Sequence, residues 1–229
     1  MTVYNKLIVG NFGYGNSFHS FVPAFMEPKE RILHRSHELF NKYGIRSVSM
    51  DDIANGLGMS KKTLYNYFAD KEELVDACFS SVMEQSRCQC LNDQKQADNP
   101  IHEIFLAFDM TQEVFAEMNP SVLYDMQKYH PAAFKKFQEF KYGFLYNVIT
   151  SNLKRGIQEE LYRADIDVDV IARLRIESVM LPFNVEVFPS NRTHLIHIEQ
   201  QLFDHFVYGL ATAKGQKLIQ KYKTQRAKK

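Results

Sequence analysis

Between Ser60 and Phe68 the chain reads Ser-Lys-Lys-Thr-Leu-Tyr-Asn-Tyr-Phe, which crowds cations, an amide, hydroxyls and phenols around two apolar residues. At about 100° per residue on a helix, Leu64 and Phe68 share one face, and Lys62 and Asn66 point the other way, flanked by Thr63 and Tyr65. Each outward group has a nucleic-acid chemistry. An amide pairs bidentately with adenine, a Lys reaches the guanine acceptors, and a Thr methyl touches the thymine methyl. Tyr65, Tyr67 and a capping hydroxyl such as that of Ser49 suit phosphate oxygens, which set register rather than sequence. Lys71, in the first turn of the next helix, places a cation beside exposed N–H groups, also a phosphate-binding arrangement. The candidate DNA-binding residues are therefore Ser49, Lys61, Lys62, Thr63, Tyr65, Asn66, Tyr67 and Lys71.

These side chains need elements to hold them. Ser49-Met-Asp-Asp52 is a capping-box-like start: the hydroxyl satisfies an early N–H while Asp52 reaches back. The helix it opens is short, running to Leu57 and ending at Gly58. Ser60 caps a second short helix through Phe68, and Asp70-Lys-Glu-Glu73 starts a third, with acids at the positive end of the dipole. Two short helices joined at Gly58-Met59 form a helix-turn-helix layout, the second helix of which enters the DNA major groove. Ile53, Ala54, Leu57, Leu64 and Phe68 fix the angle between them. Upstream, Pro28 suits a first helical position. Ile32, Ser36, Leu39, Phe40 and Tyr43 then recur at helical spacing before Gly44 stops the helix. The same layout also describes a purely structural helical corner with a solvated polar face.

Ile32-Leu…Leu39-Phe-x-x-Tyr43-Gly, followed by Ser49-Met-Asp-Asp-Ile-Ala…Leu57-Gly-Met-Ser-Lys-Lys-Thr-Leu-Tyr-Asn-Tyr-Phe68-Ala-Asp-Lys-Glu-Glu-Leu74, resembles the N-terminal domain of TetR-family transcriptional regulators. The resemblance covers about residues 28–76. It implies a homodimer, a palindromic double-stranded DNA operator, and repression released by a small-molecule ligand held in a C-terminal domain. Many members have Gly where this chain has Lys62, so here a side chain must reach where a backbone would approach. Gly56, inside the supporting helix, costs about 1 kcal/mol relative to Ala.

The remainder of the chain reads as helical. Stretches are expected over 71–92, 101–118, 121–129, 132–155, 167–187 and 194–213, with Pro100, Pro120, Pro131 and Pro189 at the seams. Almost nothing alternates with period two, so the fold class is all-α: a three-helix N-terminal DNA-binding domain followed by a C-terminal helical bundle for ligand binding and dimerisation. The expected divisions are 1–26, an Asn/Gly/Phe-rich leader read as disordered; 27–75, the helix-turn-helix domain; 76–213, the regulatory and dimerisation domain; and 214–229, a basic tail read as solvated and frayed. In the third of these, aromatic residues recur at helical spacing. Periodicity alone reads them as core. The resemblance implies that some line a ligand pocket, with Phe105, Phe108, Phe115, Phe137 and Phe144 as candidates. The same resemblance makes Ile171, Leu174, Val179, Leu202 and Phe206, on the last two long helices, candidates for the dimer interface.

Composition excludes several classes. The chain has 229 residues, of which 45% are hydrophobic and 24% charged, enough for a buried core. No apolar run approaches the ~18–20 residues that span a bilayer. Three cysteines make no disulfide framework, and a reducing cytoplasm fits best. Cys88 and Cys90 point apart on a helix. The pairs His34/His37 and His194/His197 lack a third ligand at metal spacing, so neither metal nor cofactor is expected. No phosphate loop, nucleophile elbow or zinc-protease motif occurs, and an enzyme is not expected.

The net charge of +1 is a cancellation. Residues 27–75 hold eight basic and eight acidic side chains, residues 76–213 hold 12 against 19, and residues 214–229 hold seven and none. A neutral headpiece is a poor phosphate binder in bulk, so the reading depends on charges segregating, with Lys61, Lys62 and Lys71 at the reading helix and Asp51 and Asp52 at the supporting one. The competing reading is a helical ligand-binding or adaptor protein whose helix-turn-helix is structural.

Overall fold

The computed structural model describes residues 27–189 and 194–227, with the side chain of His194 outside that description. The expected leader at 1–26 therefore lies outside the described residues. Among them no strand occurs, and one isolated bridge joins Tyr162 to Ala211. The protein is all-α.

Local chemistry sets the headpiece. Helix α1 (Pro28–Tyr43) starts on its proline and buries Ile32, Ser36, Leu39 and Phe40. Ser36 is tolerated inside because its hydroxyl donates to Ile32 O at 2.7 Å. Gly44, at φ 84°, turns the chain where an L side chain would be strained. Helix α2 (Met50–Leu57) carries the expected capping box, with Asp52 N donating to Ser49 Oγ and Ser49 N to Asp52 Oδ2. Gly58 closes it in the left-handed conformation. Helix α3 (Lys61–Tyr65) is capped by Ser60 and α4 (Lys71–Gln96) by Asp70. A helix of that length runs about 39 Å, so α4 reaches from the headpiece along the body.

The body comprises α5 (Pro100–Glu117), α6 (Ser121–Tyr129), α7 (Pro131–Glu139), α8 (Tyr146–Gln158), α9 (Val168–Met180), α10 (His194–Leu210) and α11 (Ala213–Arg226). Two apolar clusters hold the molecule together. The first joins Ile32, Phe40, Ile53, Leu64, Phe68 and Leu74 to Val122, Met126 and Ala133 of α6 and α7, so the headpiece core is continuous with the body. The second draws Ile101, Phe105 and Phe108 of α5, Leu153 of α8, Phe203 and Val207 of α10, and Ile219 and Tyr222 of α11 together.

Four expectations about elements change. The helix opened by Ser60 ends at Tyr65 rather than Phe68, with Asn66 as its C-cap. Tyr67 N and Phe68 N still donate to Leu64 O, so the chain keeps turning and Phe68 still comes inside. The stretch 132–155 is interrupted by a π turn at Phe140–Leu145. The wider turn lets two successive residues, Phe140 and Lys141, both point inward, and Lys141 Nζ finds Glu177 Oε1 at 3.1 Å. The stretch 167–187 stops at Met180, where a 3₁₀ turn carries Pro182.

The Lys-rich tail is the largest correction. Thr212 caps a new helix, α11, which buries Gly215, Ile219 and Tyr222. Asn99 donates to the Tyr222 hydroxyl at 2.8 Å, and Lys223 pairs with Asp204. Segment charge pointed to a solvated terminus, and the apolar stripe beneath the lysines outweighs it.

Candidate nucleic-acid interface

The two short helices meet over a dry seam: Ile53, Leu64 and Phe68 are almost wholly removed from solvent, with Ala54 beside them. That seam fixes what α3 shows outward. Lys61, Lys62, Thr63, Tyr65, Asn66 and Tyr67 are all exposed, as the helical wheel predicts. A Cβ at Gly56 on α2 would come within 2.8 Å of Arg35 Nε on α1, a contact that the flexible end of the Arg35 side chain can relieve.

Hydrogen bonding separates the eight candidates. The Ser49 hydroxyl is engaged by Asp52 Oδ2 at 2.6 Å, and the Thr63 and Ser60 hydroxyls lie 2.8 Å apart. Both are therefore busy holding the caps. Lys61 Nζ stands 2.8 Å from Asp51 Oδ1, and this carboxylate raises the affinity of the amine for its proton. Lys71 Nζ donates to Ile45 O at 2.7 Å, and partial burial lowers the pKa of its ammonium. Glu73 N is capped by Asp70 Oδ1, and Ala69 N donates to Glu73 Oε2 at 2.7 Å. The N-terminus of α4 therefore holds its own acids rather than open N–H groups. The expected charge segregation is also corrected: Lys61 and Asp51 are partners across the two helices.

A shallow concavity gathers Ser49, Lys61, Tyr65 and Lys71 with Arg46, Ser47 and Asp51. Lys62, Thr63, Asn66 and Tyr67 lie outside its lining, on the remaining exposed turn of α3, its C-cap and the residue that follows. Arg46 is an exposed residue that the sequence reading did not single out. Its backbone N donates to Asp125 Oδ2 of α6 at 3.0 Å, a contact 79 residues away that no local pattern announces.

The body residues distribute differently from the expected groupings. Phe105 and Phe108 pack in the second core, Phe108 stacking on Phe203 with centroids 4.0 Å apart. Phe115 meets Phe183 edge-on, Phe137 packs against the headpiece core, and Phe144 stacks on Phe140 beneath the Arg87 guanidinium. The five do not converge on one site. Of the interface candidates, Leu174 is 55% exposed, with Val170 at 57% one turn before it. Ile171, Val179 and Leu202 are partly buried, and Phe206 is buried. Cys88 is exposed, while burial pushes the Cys90 thiol up to about 11 and the Cys78 thiol up to about 12. Among the described residues no group of three or more His, Cys, Asp or Glu is arranged to hold a metal ion, and no helix is long and apolar enough to cross a membrane.

Comparison with known proteins agrees with this geometry. Residues 32–78 match the model of the bacterial regulatory proteins of the tetR family. The HTH-type transcriptional repressor KstR2 of Mycobacterium tuberculosis is 26% identical over 148 residues, covering 62% of this chain and 72% of the repressor. The solved structure of that ketosteroid transcriptional regulator superposes with a TM-score of 0.58 at 19% identity, over 81% of this chain and 96% of the other. A TetR transcriptional regulator from Chloroflexus aurantiacus superposes with a TM-score of 0.63 at 21% identity, over the same shares. The solved structures share the all-α fold of this chain, and the tetR-family match over the capped helix pair together with the curated relatives supports a TetR-family helix-turn-helix transcriptional regulator.

Proposed function

We propose that this regulator is a cytoplasmic repressor that binds a palindromic DNA operator as a homodimer and is released by a small molecule held in the helical body. The carrying observation is the outward face of α3. Lys62 and Asn66 stand exposed beside Tyr65 and Tyr67, on a helix anchored through Leu64 and Phe68. That is the chemistry of base readout flanked by phosphate contacts. The working division is 27–75 as the DNA-binding domain and 76–213 as the regulatory domain, with α11 completing the regulatory core.

A gel-shift assay against the DNA upstream of the regulator's own gene tests the reading. Sequence-selective binding is expected, and Lys62→Ala with Asn66→Ala should abolish the selectivity. Sequence-independent binding that the double variant leaves unchanged would sink base readout by α3. No salt-dependent affinity for any duplex would leave the structural reading of the helix-turn-helix standing.

Exposed Val170 and Leu174 on the outer face of α9 support pairing across a two-fold axis through the last long helices. Leu174→Glu should then convert the dimer to monomer in sedimentation, and an unchanged mass would exclude this face. For the effector, Phe115, which meets Phe183 edge-on, is the candidate lining residue, whereas Phe105 and Phe108 pack in the second core.

A further inference from the structure

The α1–α2 loop, residues 44–49, lies at the rim of the α3 face and is held largely by residues outside the helix-turn-helix. Gly44 lies so close to α6 that a Cβ there would come 2.6 Å from Ser121 Oγ and 3.4 Å from Asp125 Oδ2. Asp125 is buried, and its carboxylate accepts from Arg46 N. The Arg46 side chain runs outward instead. Its guanidinium carbon stands 5.5 Å from the centroid of the Tyr129 ring, and Nη1 is 3.5 Å from the phenol oxygen, at the outer limit of a hydrogen bond. Tyr129 is also on α6, so one helix of the body sets both the backbone and the side chain of this arginine.

Charge then singles Arg46 out. It shares the concavity with Lys61 and Lys71. Lys61 is neutralised by Asp51, and Lys71 is engaged by Ile45 O. Arg46 meets a neutral phenol, and a guanidinium is permanently charged, with a planar fork of donors that matches a phosphate. Exposed Ser47 lines the concavity beside it. A neutral headpiece that binds DNA needs cations free to meet the backbone, and Arg46 joins exposed Lys62 among them.

We infer that Arg46 is a phosphate-binding residue of the DNA interface, and that Asp125 and Tyr129 of α6 are its positioning residues. The inference rests on the DNA-binding reading above. It extends the interface beyond the helix-turn-helix and makes part of it depend on the body.

The test is an anisotropy titration of the full chain with a fluorescent duplex of about 40 base pairs of arbitrary sequence, four helical turns, repeated between about 50 and about 200 mM salt. Each phosphate contact adds about 0.9 to the salt slope, a roughly three- to four-fold change in affinity over that range. Arg46→Ala should lower the slope by about one, equally on unrelated duplexes, whereas Arg46→Lys should keep it. Asp125→Ala should weaken binding, with the double variant no weaker than Arg46→Ala alone. Asp125→Asn should restore binding, because the amide oxygen still accepts from Arg46 N. Thermal melting monitors the fold, and if Asp125→Ala does not fold, Tyr129→Phe in the same cycle replaces it. A wild-type slope for Arg46→Ala overturns the phosphate role, and additive losses overturn the positioning role. If the wild-type chain shows no salt-dependent affinity, the DNA-binding reading itself falls and takes this one with it.

Discussion

Lys61 Nζ is 2.8 Å from Asp51 Oδ1, an ion pair that ties the first residue of α3 to the second residue of α2. Both side chains are more than half exposed, so the pair is screened and contributes little to folding. If α3 meets DNA as proposed, its larger effect is on binding, because the carboxylate offsets a cation that would otherwise face phosphate. Asp51→Asn should therefore tighten binding to duplex DNA and steepen the salt slope by up to about one, with the melting temperature nearly unchanged. A salt titration followed by anisotropy reads this. An unaltered slope would mean that Lys61 does not approach the backbone.

That pair also marks where sequence reasoning stops. Caps are local events, so Ser49 with Asp52, Ser60, Asp70 and the left-handed Gly58 are legible from spacing, and so is the division of α3 into Leu64 and Phe68 within and Lys62 and Asn66 without. Lys61 with Asp51, Lys71 with Ile45 and Arg46 with Asp125 are tertiary contacts, and no window of a helix's length contains the last two. The aromatic residues show the same limit. Their spacing announces burial, but Phe105 and Phe137 share that spacing and go to different cores. The tail was legible by a signal that charge masked, since Gly215, Ile219 and Tyr222 fall at four- and three-residue intervals. Pro182 likewise lay inside a stretch read as unbroken helix.

Acid should destabilise the headpiece through His37. Burial, assisted by neighbouring His34, holds its imidazole down from 6.5 to about 4. Asn41 lies 3.1 Å from His37 Nε2, a contact suited to a neutral ring that accepts the amide N–H. Between those two values the unfolded chain binds a proton that the folded chain does not. The contribution of neutral His37 is therefore complete above about pH 6.5 and declines as pH falls toward 4. His37→Gln, which cannot titrate, should lose less melting temperature than the wild type on acidification over this interval. Parallel curves would show that His37 is not a source of the acid sensitivity.

The three cysteines should separate by accessibility. Cys88 is exposed on α4, whereas Cys78 and Cys90 are buried, with thiols held well above neutrality. Since the thiolate is the nucleophile, iodoacetamide at neutral pH should add one group to the native chain, at Cys88, and three only after denaturation. Mass spectrometry of the labelled peptides gives the count. Early labelling of Cys90 would mean that the C-terminal third of α4 opens without global unfolding.

The deepest electrostatic feature of the body gives the last prediction. Arg175 Nη2 of α9 donates to Glu199 Oε1 of α10 at 2.9 Å, both side chains are nearly sealed from water, and the guanidinium lies over the rings of Phe203 and Phe206. Burial pushes the Glu199 carboxyl up, and the Arg175 charge draws it back. Taking two charges out of water is costly, so such a pair is weak as a net stabiliser, yet removing one partner strands the other. Glu199→Ala should lower stability by about 3–5 kcal/mol, whereas Arg175→Met combined with Glu199→Leu should be near neutral or slightly stabilising. Urea unfolding followed by circular dichroism, with midpoints compared at equal slope, distinguishes the two. A double variant as unstable as the single one would show that the pair, rather than apolar filling between α9 and α10, holds that seam closed. In that case the polar contact itself would be the reason these helices meet in the register that leaves Val170 and Leu174 facing outward.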